Sequence, residues 1–254
     1  MNIKGKVAII TGGAGGIGKA VAKKMLEKEA KSVFIADTKK DILEETAKEI
    51  NAIPLFCDVT EEEQVRELVS KAVQKTGTVD VFMSNAGIYL EGNEYSPDKD
   101  WELNWKIHVM AHVYAARSVI PVMKSKGKGY LINTASAAGL LSHIDSATYA
   151  TTKHACIGLS EYLAINHKTD GINVSVLCPQ AVRTAMTENR EKSVAAVDGM
   201  IEPDIVALKV LESMDKEEFL ILPHEKVRTY VRRKGNDYER WISGMRKLTL
   251  KKDF

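Results

Sequence analysis

The chain has 254 residues, a length that suits one large α/β domain or two small ones. Hydrophobic residues make up 44% of it and charged residues 28%, so it can bury a sizeable core and is neither disordered nor fibrous. The formal net charge of only +2 argues against a protein built to bind nucleic acid.

The three cysteines, Cys57, Cys156 and Cys178, lie far apart among apolar residues. This spacing matches neither a disulfide framework nor a metal site, and it favours reduced thiols in a cytoplasmic protein. The first apolar run, at residues 7–10, already ends in a glycine-rich turn, so we expect no signal peptide. No apolar run approaches the length of a membrane span, so we expect no membrane partner.

Short apolar runs rich in β-branched residues alternate with longer segments of helical spacing. The runs predict seven buried strands, at residues 7–11, 32–37, 53–58, 79–84, 129–135, 172–178 and 219–223. The segment at 61–75 is one of the predicted helices, with Thr60 and Glu63 placed to form a capping box. The alternation implies a doubly wound parallel sheet, an α/β (Rossmann) fold. We expect one domain over residues 1–224, with a helical C-terminal extension of the same domain at 225–254.

A glycine-rich turn, TGGAGGIG, follows the first strand and opens a helix. Glycines let the backbone approach a pyrophosphate closely, and the helix N-terminus offers free N–H groups to it. The spacing fits two patterns, one with Gly12, Gly16 and Gly18 and one with Gly12, Gly15 and Gly18. We expect this turn, with Ile17 inside it, to bind a nucleotide.

The second strand ends in Asp37, 19 residues past Gly18. A carboxylate there accepts hydrogen bonds from the ribose hydroxyls and repels a 2′-phosphate, which predicts NAD rather than NADP as the cofactor. Lys39 and Lys40 weigh the other way, since a nearby cation can hold a phosphate. In a simpler interpretation Asp37 only caps the helix that follows.

The segment TYATTK, residues 148–153, places Tyr149 and Lys153 one helical turn apart on the same face. A free tyrosine has a pKa near ~10, too high for a base at neutral pH, but a neighbouring ammonium favours the phenolate. An isolated pair of this kind is more often part of a solvated helix surface. The segments around Tyr149 and Lys153 therefore decide between a catalytic pair and a surface pair.

That context resembles the short-chain dehydrogenase/reductase family over nearly the whole chain. The segments that carry the resemblance follow successive strands: the glycine turn, CDVT (57–60), SNAG (84–87), INTASAAG (132–139) with YATTK (149–153), and CPQAVRT (178–184). Compact members of the family have the Gly12, Gly16, Gly18 pattern. Longer relatives with the other pattern carry a larger C-terminal domain than this chain can hold.

The resemblance implies a catalytic set and a cofactor site. Ser136 would orient the substrate oxygen, Tyr149 would be the general acid and base, and Lys153 would lower its pKa and hold the nicotinamide ribose. Asp58 would bind the adenine amino group beside Val59. The remaining cofactor contacts implied are Asn85, Ala86, Gly87, Pro179, Val182 and Thr184. Ser84 and Gln180 depart from the family pattern, which usually has asparagine and glycine there.

His108 stands where the family usually has an asparagine that steadies a water in a proton relay. Asn104 lies one helical turn earlier. Two interpretations stay open. The substitution keeps the kinked backbone and the water, or the imidazole itself joins the relay because histidine titrates near neutral pH.

These features predict an NAD(H)-dependent oxidoreductase that interconverts a secondary alcohol and a ketone or aldehyde, with no metal. The alternatives are a 3-oxoacyl-thioester (acyl-carrier-protein) reductase of the same fold and a non-catalytic NAD(H)-binding sensor or scaffold. The substrate loop is expected between Thr184 and Pro203. Residues expected to line a mostly apolar pocket are Met186, Val194, Val197, Met200, Leu140, Leu141, His143, Ile144 and Tyr89.

Residues 225–254 hold ten Lys/Arg and four Asp/Glu, with apolar residues at helical spacing. They predict one amphipathic helix, or two broken at Gly235–Asn236, packed on the domain or on another subunit rather than on a membrane. Two long helices, near 100–124 and 149–168, form the usual subunit interface of the family. The resemblance therefore implies a homodimer or homotetramer.

Overall fold

The computed structural model describes residues 1–190 and 193–250. Within these ranges, seven parallel strands form one sheet in the order β3-β2-β1-β4-β5-β6-β7. The strands are β1 (Val7–Thr11), β2 (Ser32–Asp37), β3 (Ile53–Phe56), β4 (Val81–Ser84), β5 (Gly129–Thr134), β6 (Ile172–Leu177) and β7 (Leu220–Ile221). Two residues of the predicted substrate loop (191–192) and the last four of the tail (251–254) lie outside the described ranges.

Helices cover both faces of the sheet, as the doubly wound pattern predicts. They are α1 (Gly16–Glu27), α2 (Lys40–Ile50), α3 (Glu62–Thr76), α4 (Asp98–Trp105), α5 (Ala111–Ser125), α6 (Ala137–Leu141), α7 (Ala147–His167), α8 (Pro203–Lys216), α9 (Lys226–Asn236) and α10 (Tyr238–Leu250). The packing of α1 and α8 against one face and of α3, α5 and α7 against the other encloses the two main cores.

All seven strands are confirmed, but five are shorter than predicted. The predicted fifth and sixth strands include Ala135 and Cys178, which are buried beyond the ends of β5 and β6. An apolar run reports burial, and burial continues one residue past the last strand residue, where Ala135 and Cys178 still donate their N–H groups to the neighbouring strands. β3 is an edge strand, a position that tolerates Pro54 and its missing N–H group.

The predicted capping box at Thr60 and Glu63 is wrong. The Thr60 hydroxyl donates to Asp58 Oδ1 at 2.8 Å, and Glu63 instead pairs with Arg66. α3 begins at Glu62 without a side-chain cap. A strand-end carboxylate has thus taken the hydroxyl that the helix N-terminus was expected to use.

Two other predicted helical segments, the one near 100–124 and the tail, are interrupted. The predicted helix near 100–124 consists of α4 and α5 joined by five residues of wider π-helix, Lys106–Met110. The tail forms two helices separated at Asp237, next to the predicted break. No helix in the described part of the chain has the length and apolar content to cross a membrane.

The sheet order places the candidate site. β1 and β4 are neighbours although two strands and three helices separate them in the chain, so the order of connection reverses between them. In an open parallel sheet, ligands bind outside the carboxyl ends of the strands at such a reversal. The glycine turn after β1 and the SNAG segment after β4 flank this point.

Candidate active site

The glycine turn leaves no room for side chains at Gly12 and Gly18, whereas the space beside Gly15 is open. Gly12 and Gly16 have φ angles of +65° and +51°, which L-residues rarely adopt. A Cβ atom on Gly12 would lie 2.9 Å from the Ala86 Cα atom, and one on Gly18 would lie 2.2 Å from the Gly12 carbonyl oxygen. The backbone of the turn is therefore packed directly on the end of β4 and on the start of α1. This cradle fits the pyrophosphate of a dinucleotide.

Asn85 ties three strand ends together. Its amide nitrogen donates to the carbonyl oxygen of Thr11 at 3.1 Å, and its Oδ1 atom accepts from the Thr134 hydroxyl at 3.3 Å. Its backbone N–H donates to the Thr11 hydroxyl at 2.9 Å. The side chain predicted as a cofactor contact therefore also fixes the ends of β1, β4 and β5 relative to one another.

Asp37 faces the glycine turn from the end of β2. One carboxylate oxygen accepts the Ala14 N–H at 3.3 Å, and the other accepts the Thr38 and Lys39 N–H groups at 2.8 and 3.2 Å. The simpler interpretation, a helix cap, does not describe it, since α2 is capped by Lys39 without a side-chain bond. The ammonium of Lys40 lies 4.7 Å from the ring centre of Phe56.

Asp58 and Val59 follow β3 on the same edge of the sheet. The Asp58 carboxylate accepts both the N–H and the hydroxyl of Thr60, at 2.9 and 2.8 Å, and its own N–H donates to Gln64. Val59 is buried beside it. The turn is therefore held by its own polar contacts.

Ser136 follows β5 and begins α6. Its hydroxyl accepts the Ala138 N–H at 3.1 Å and donates to the Pro179 carbonyl oxygen at 3.4 Å. Pro179 also accepts the Ala137 N–H at 2.8 Å, so the loop after β6 supports the serine. Two strand ends thus determine where the Ser136 side chain lies.

Tyr149 and Lys153 face Ser136 from α7. Burial raises the pKa of Tyr149 to about 12, and the adjacent Ser136 side chain opposes that rise. The Lys153 ammonium lies 5.5 Å from the centre of the Tyr149 ring and donates to the Thr134 carbonyl oxygen at 2.9 Å. Burial also lowers the pKa of Lys153. The three residues that the sequence selects therefore meet at one place.

A residue that sequence analysis missed determines where Tyr149 lies. Ser146 caps α7 by accepting the Tyr149 N–H at 3.2 Å, and its hydroxyl donates to the Leu90 carbonyl oxygen at 2.6 Å. A serine three residues before the tyrosine is the spacing of a helix N-cap, so the signal was present in the sequence.

His108 is buried within the π-helical segment, with both ring nitrogens engaged. Nε2 accepts the Ile88 N–H at 3.2 Å, and Nδ1 lies 2.9 Å from the Thr152 hydroxyl oxygen. That hydroxyl donates to the Thr148 carbonyl oxygen, so Nδ1 carries the imidazole proton and donates it. Burial, followed by the positive charge of Lys153, holds the pKa of His108 well below its usual range. The imidazole is neutral.

The segment after β6 reaches back to the glycine turn. A Cβ atom on Gly16 would lie 3.0 Å from the Thr184 methyl group. The backbone N–H of Thr184 donates to the Thr187 hydroxyl at 3.1 Å, and Val182 is buried beneath this loop. Gln180, at the usual glycine position, donates its N–H to His224 Nδ1 at 3.2 Å.

A cavity of about 690 Å³ begins at Ser136 and ends at the tail helices. Of the predicted pocket residues, Leu141, His143, Val194 and Val197 line it, and the other five do not. Tyr89 instead packs edge-on against Tyr149, with ring centres 5.3 Å apart.

The tail contributes a whole wall of this cavity, which sequence analysis did not anticipate. Its lining residues include Tyr230, Arg233, Arg240, Trp241 and Leu248. The amphipathic pattern indicated that the tail would pack on something, but it carried no information about which surface would be covered.

Comparison with known proteins identifies the family. A family model described as short chain dehydrogenase matches residues 6–195. Meso-2,3-butanediol dehydrogenase of Serratia marcescens is 31% identical over 192 residues, which cover 74% of this chain and 75% of that protein. The 3-oxoacyl-[acyl-carrier-protein] reductase of Thermotoga maritima is 31% identical over 194 residues, or 74% of this chain and 78% of that one.

A solved structure agrees over almost the full length. A short chain dehydrogenase/reductase from Burkholderia phymatum, in complex with NAD, has a TM-score of 0.86 at 26% identity and covers 94% of this chain and 96% of its own. The region matched by the family model includes the glycine turn, Ser136, Tyr149 and Lys153. The chain is an oxidoreductase of the short-chain dehydrogenase/reductase family.

Proposed function

We propose that the protein is an NAD(H)-dependent oxidoreductase that interconverts a secondary alcohol and a ketone. The observation that carries this proposal is the convergence of Ser136, Tyr149 and Lys153, of which Ser136 lines a cavity large enough for a drug-sized ligand. The glycine turn beside them supports a bound dinucleotide. NAD, when bound there, supplies the acceptor or donor of the hydride.

In this reaction the side chains of the protein carry out the proton transfer. In oxidation, the alcohol O–H bond breaks and its proton moves to the Tyr149 phenolate oxygen, while the C–H hydrogen leaves as hydride. In reduction, the Tyr149 hydroxyl returns the proton to the substrate oxygen. Ser136 donates a hydrogen bond to that oxygen and stabilises its developing negative charge.

Lys153 has two tasks in this scheme. Because burial raises the pKa of Tyr149 to about 12, the phenolate needs a positive charge nearby to form at neutral pH. The Lys153 ammonium, 5.5 Å from the ring centre, is placed to stabilise it. The same ammonium would also bind the nicotinamide ribose.

His108 acts in this proposal as a positioning residue. Its neutral ring holds the Ile88 N–H and lies perpendicular to the Tyr149 ring, with centres 5.3 Å apart. An imidazole whose Nε2 lone pair is already used by a backbone N–H is poorly placed to accept a relayed proton. Of the two interpretations of the sequence, the geometry supports the one in which the kinked backbone is retained.

Three groups of residues would hold the cofactor. The N–H groups of the Gly12–Gly18 turn would bind the pyrophosphate. Asp37 would bind the adenine ribose hydroxyls and repel a 2′-phosphate, which favours NAD over NADP. The remaining contacts would come from Ile17, Asp58, Val59, Asn85, Ala86, Gly87, Pro179, Val182 and Thr184.

We also propose a cytoplasmic homodimer or homotetramer. The three cysteines are buried and unpaired, which suits a reducing compartment. On α7, Tyr162 and Ile165 are exposed beside an apolar groove shared with α5, and this face suits a contact between copies of the chain.

The test is the formation of reduced nicotinamide from a panel of linear, cyclic, aromatic and steroidal secondary alcohols. It is run with NAD and with NADP, and Tyr149→Phe is the blank. We expect turnover with NAD that disappears in the variant, because the variant has no phenolic proton acceptor.

Other outcomes separate the alternatives. Turnover with NADP alone would contradict the assignment of Asp37, and activity only on 3-oxoacyl thioesters would support the acyl-carrier-protein reductase. Tight NADH binding without turnover of any substrate would support the non-catalytic sensor.

A further inference from the structure

The cavity beside Ser136 has one charged wall. The charged residues that line it are Arg233, Asp237 and Arg240, all from α9, α10 and the link between them. The other lining residues are mostly small or apolar, such as Leu141, Val194 and Val197, with uncharged polar side chains among them. The chemistry of the cavity is thus divided between an apolar body and a basic rim.

Exposure follows the same division. Ser136 and Leu141, at the inner end, are buried, whereas Arg233 and Arg240 are exposed. A ligand that reaches Ser136 with its alcohol can extend along the cavity and place its other end near the arginines. An ionised group costs least free energy at that outer end, where it keeps part of its hydration.

The rim carries an excess of positive charge. Asp237 is already used as a helix cap, since its Oδ1 atom accepts the Arg240 N–H at 2.9 Å. No carboxylate in the described ranges forms an ion pair with Arg233 or Arg240. The neighbouring Lys234 is directed away, because its ammonium donates to the Leu140 carbonyl oxygen at 2.7 Å.

Contacts on both sides hold the wall in place. The Trp241 indole donates to the Leu141 carbonyl oxygen at 3.4 Å, which fastens α10 to α6. Asp198, from the predicted substrate loop, accepts the Tyr230 hydroxyl at 3.0 Å and pairs with Lys226 at 2.9 Å. The two arginines are thus carried by helices whose position is fixed relative to Ser136.

We propose that this cavity selects apolar substrates that bear a carboxylate, that is, hydroxy acids and the corresponding keto acids. Arg233 and Arg240 bind the carboxylate at the rim, and the chain of the substrate lies on the apolar walls. Guanidinium groups suit this role because they pair with carboxylates through two parallel hydrogen bonds. The claim that the alcohol or ketone end of the substrate reacts beside Ser136 rests on the proposed function. The claim that the arginines bind the carboxylate does not.

Binding is therefore measured with a probe that cannot react. Decanoate and decanamide, equal in length but different in charge, are titrated calorimetrically into the full-length wild-type protein, the double variant Arg233→Gln/Arg240→Gln and the control Arg228→Gln/Arg246→Gln. The control removes two exposed cations of the same helices that do not line the cavity. Circular dichroism checks that each variant is folded.

We expect wild type and control to bind decanoate more tightly than decanamide. Since the rim charges are partly solvated, the double variant should bind decanoate about tenfold more weakly and decanamide unchanged. Equal binding of the two probes by wild type, or an equal loss in the control, would overturn the proposal. Tighter binding of decyl phosphate than of decanoate would overturn the carboxylate assignment in favour of a phosphate-bearing acyl group. Absence of turnover in the alcohol panel would contradict the proposed function and leave this result standing.

Discussion

At the scale of single residues, His108 shows how a titratable side chain is kept neutral. Its Nε2 atom is occupied by the Ile88 N–H, its Nδ1 proton by Thr152, and Lys153 adds a nearby positive charge. Protonation would bury a second charge beside the first and leave the Ile88 N–H facing a donor. The folded protein therefore resists binding a proton at this position.

This resistance predicts an acid sensitivity that His108→Asn reduces; the share of His112, whose burial lowers its pKa to about 3, remains in the variant. Below the ordinary histidine pKa of 6.5, the unfolded chain binds a proton that the folded chain does not, so stability falls as pH falls. The free energy of unfolding of the wild type should decrease from pH 6.5 to 5. In His108→Asn this decrease should be smaller, by up to about 1.4 kcal/mol for each pH unit. Urea unfolding at each pH measures it.

The same variant tests the role of His108 in catalysis. If the ring only positions its neighbours, His108→Asn lowers kcat but leaves the inflections of the pH–rate profile where they are in wild type. Loss of an inflection near neutral pH would instead show that the imidazole titrates in the proton relay. For the stability measurement described above, the baseline is the free energy of unfolding at pH 8, where a histidine is neutral in both the folded and the unfolded state.

At the scale of elements, the start of α7 decides the geometry of the site. Ser146 holds the first turn through the Tyr149 N–H, and its bond to Leu90 anchors that turn to the segment after β4. At the other end of the Tyr149–Lys153 turn, Gly139 lets α6 approach, since a Cβ atom there would lie 2.5 Å from the Lys153 carbonyl oxygen. Ser136 and Tyr149 are brought together by these two contacts.

Replacing Ser146 should therefore affect both stability and catalysis. We expect Ser146→Ala to lose about 1 kcal/mol of unfolding free energy, because the first turn of α7 loses its cap. We expect kcat to fall with little change in KM, since Tyr149 is displaced and the cavity walls are not. Ser146→Thr keeps the hydroxyl and should restore both quantities in urea unfolding and steady-state assays. Wild-type kcat in the alanine variant would show that the cap has no part in placing Tyr149.

The sequence was sufficient to predict which side chains lie at the strand ends. It was insufficient to predict the contacts that those side chains and the tail make. Asp37, Asn85 and Ser136 each follow an apolar run, and the order of the runs implied one edge of one sheet. Thr60 was assigned to a capping box because spacing cannot show that Asp58 competes for its hydroxyl. The tail wall was missed for a similar reason, since amphipathic spacing shows that a helix packs but not on which partner.

At the scale of the whole molecule, charge is segregated. The chain carries a net charge of only +2, yet its last thirty residues hold ten basic and four acidic side chains, so the rest is slightly acidic. The positive potential is therefore concentrated in the tail that forms the rim of the cavity. Anions approaching from solution would be drawn towards that side of the molecule.

Two large apolar side chains are exposed on α7 beside the groove shared with α5, and they predict self-association. Tyr162 and Ile165 are 61% and 77% exposed. The double variant Tyr162→Glu/Ile165→Glu should sediment as a smaller species than wild type, because the added charges cannot be buried between two copies. Ile242→Glu, at a 53% exposed position of the tail, is the matched control and should leave sedimentation unchanged. Identical sedimentation of all three proteins would contradict an interface on α7.

The attachment of the tail to α6 has a consequence for protein engineering. Lys234 and Trp241 both donate to main-chain carbonyl oxygens, those of Leu140 and Leu141, which every amino acid supplies. Exchanging the side chains at these two positions therefore leaves both hydrogen bonds available. A library randomised at Leu141, the one of the two that lines the cavity, would vary the shape of its inner end while the rim stays anchored. This position is therefore a suitable first choice for directed evolution of specificity.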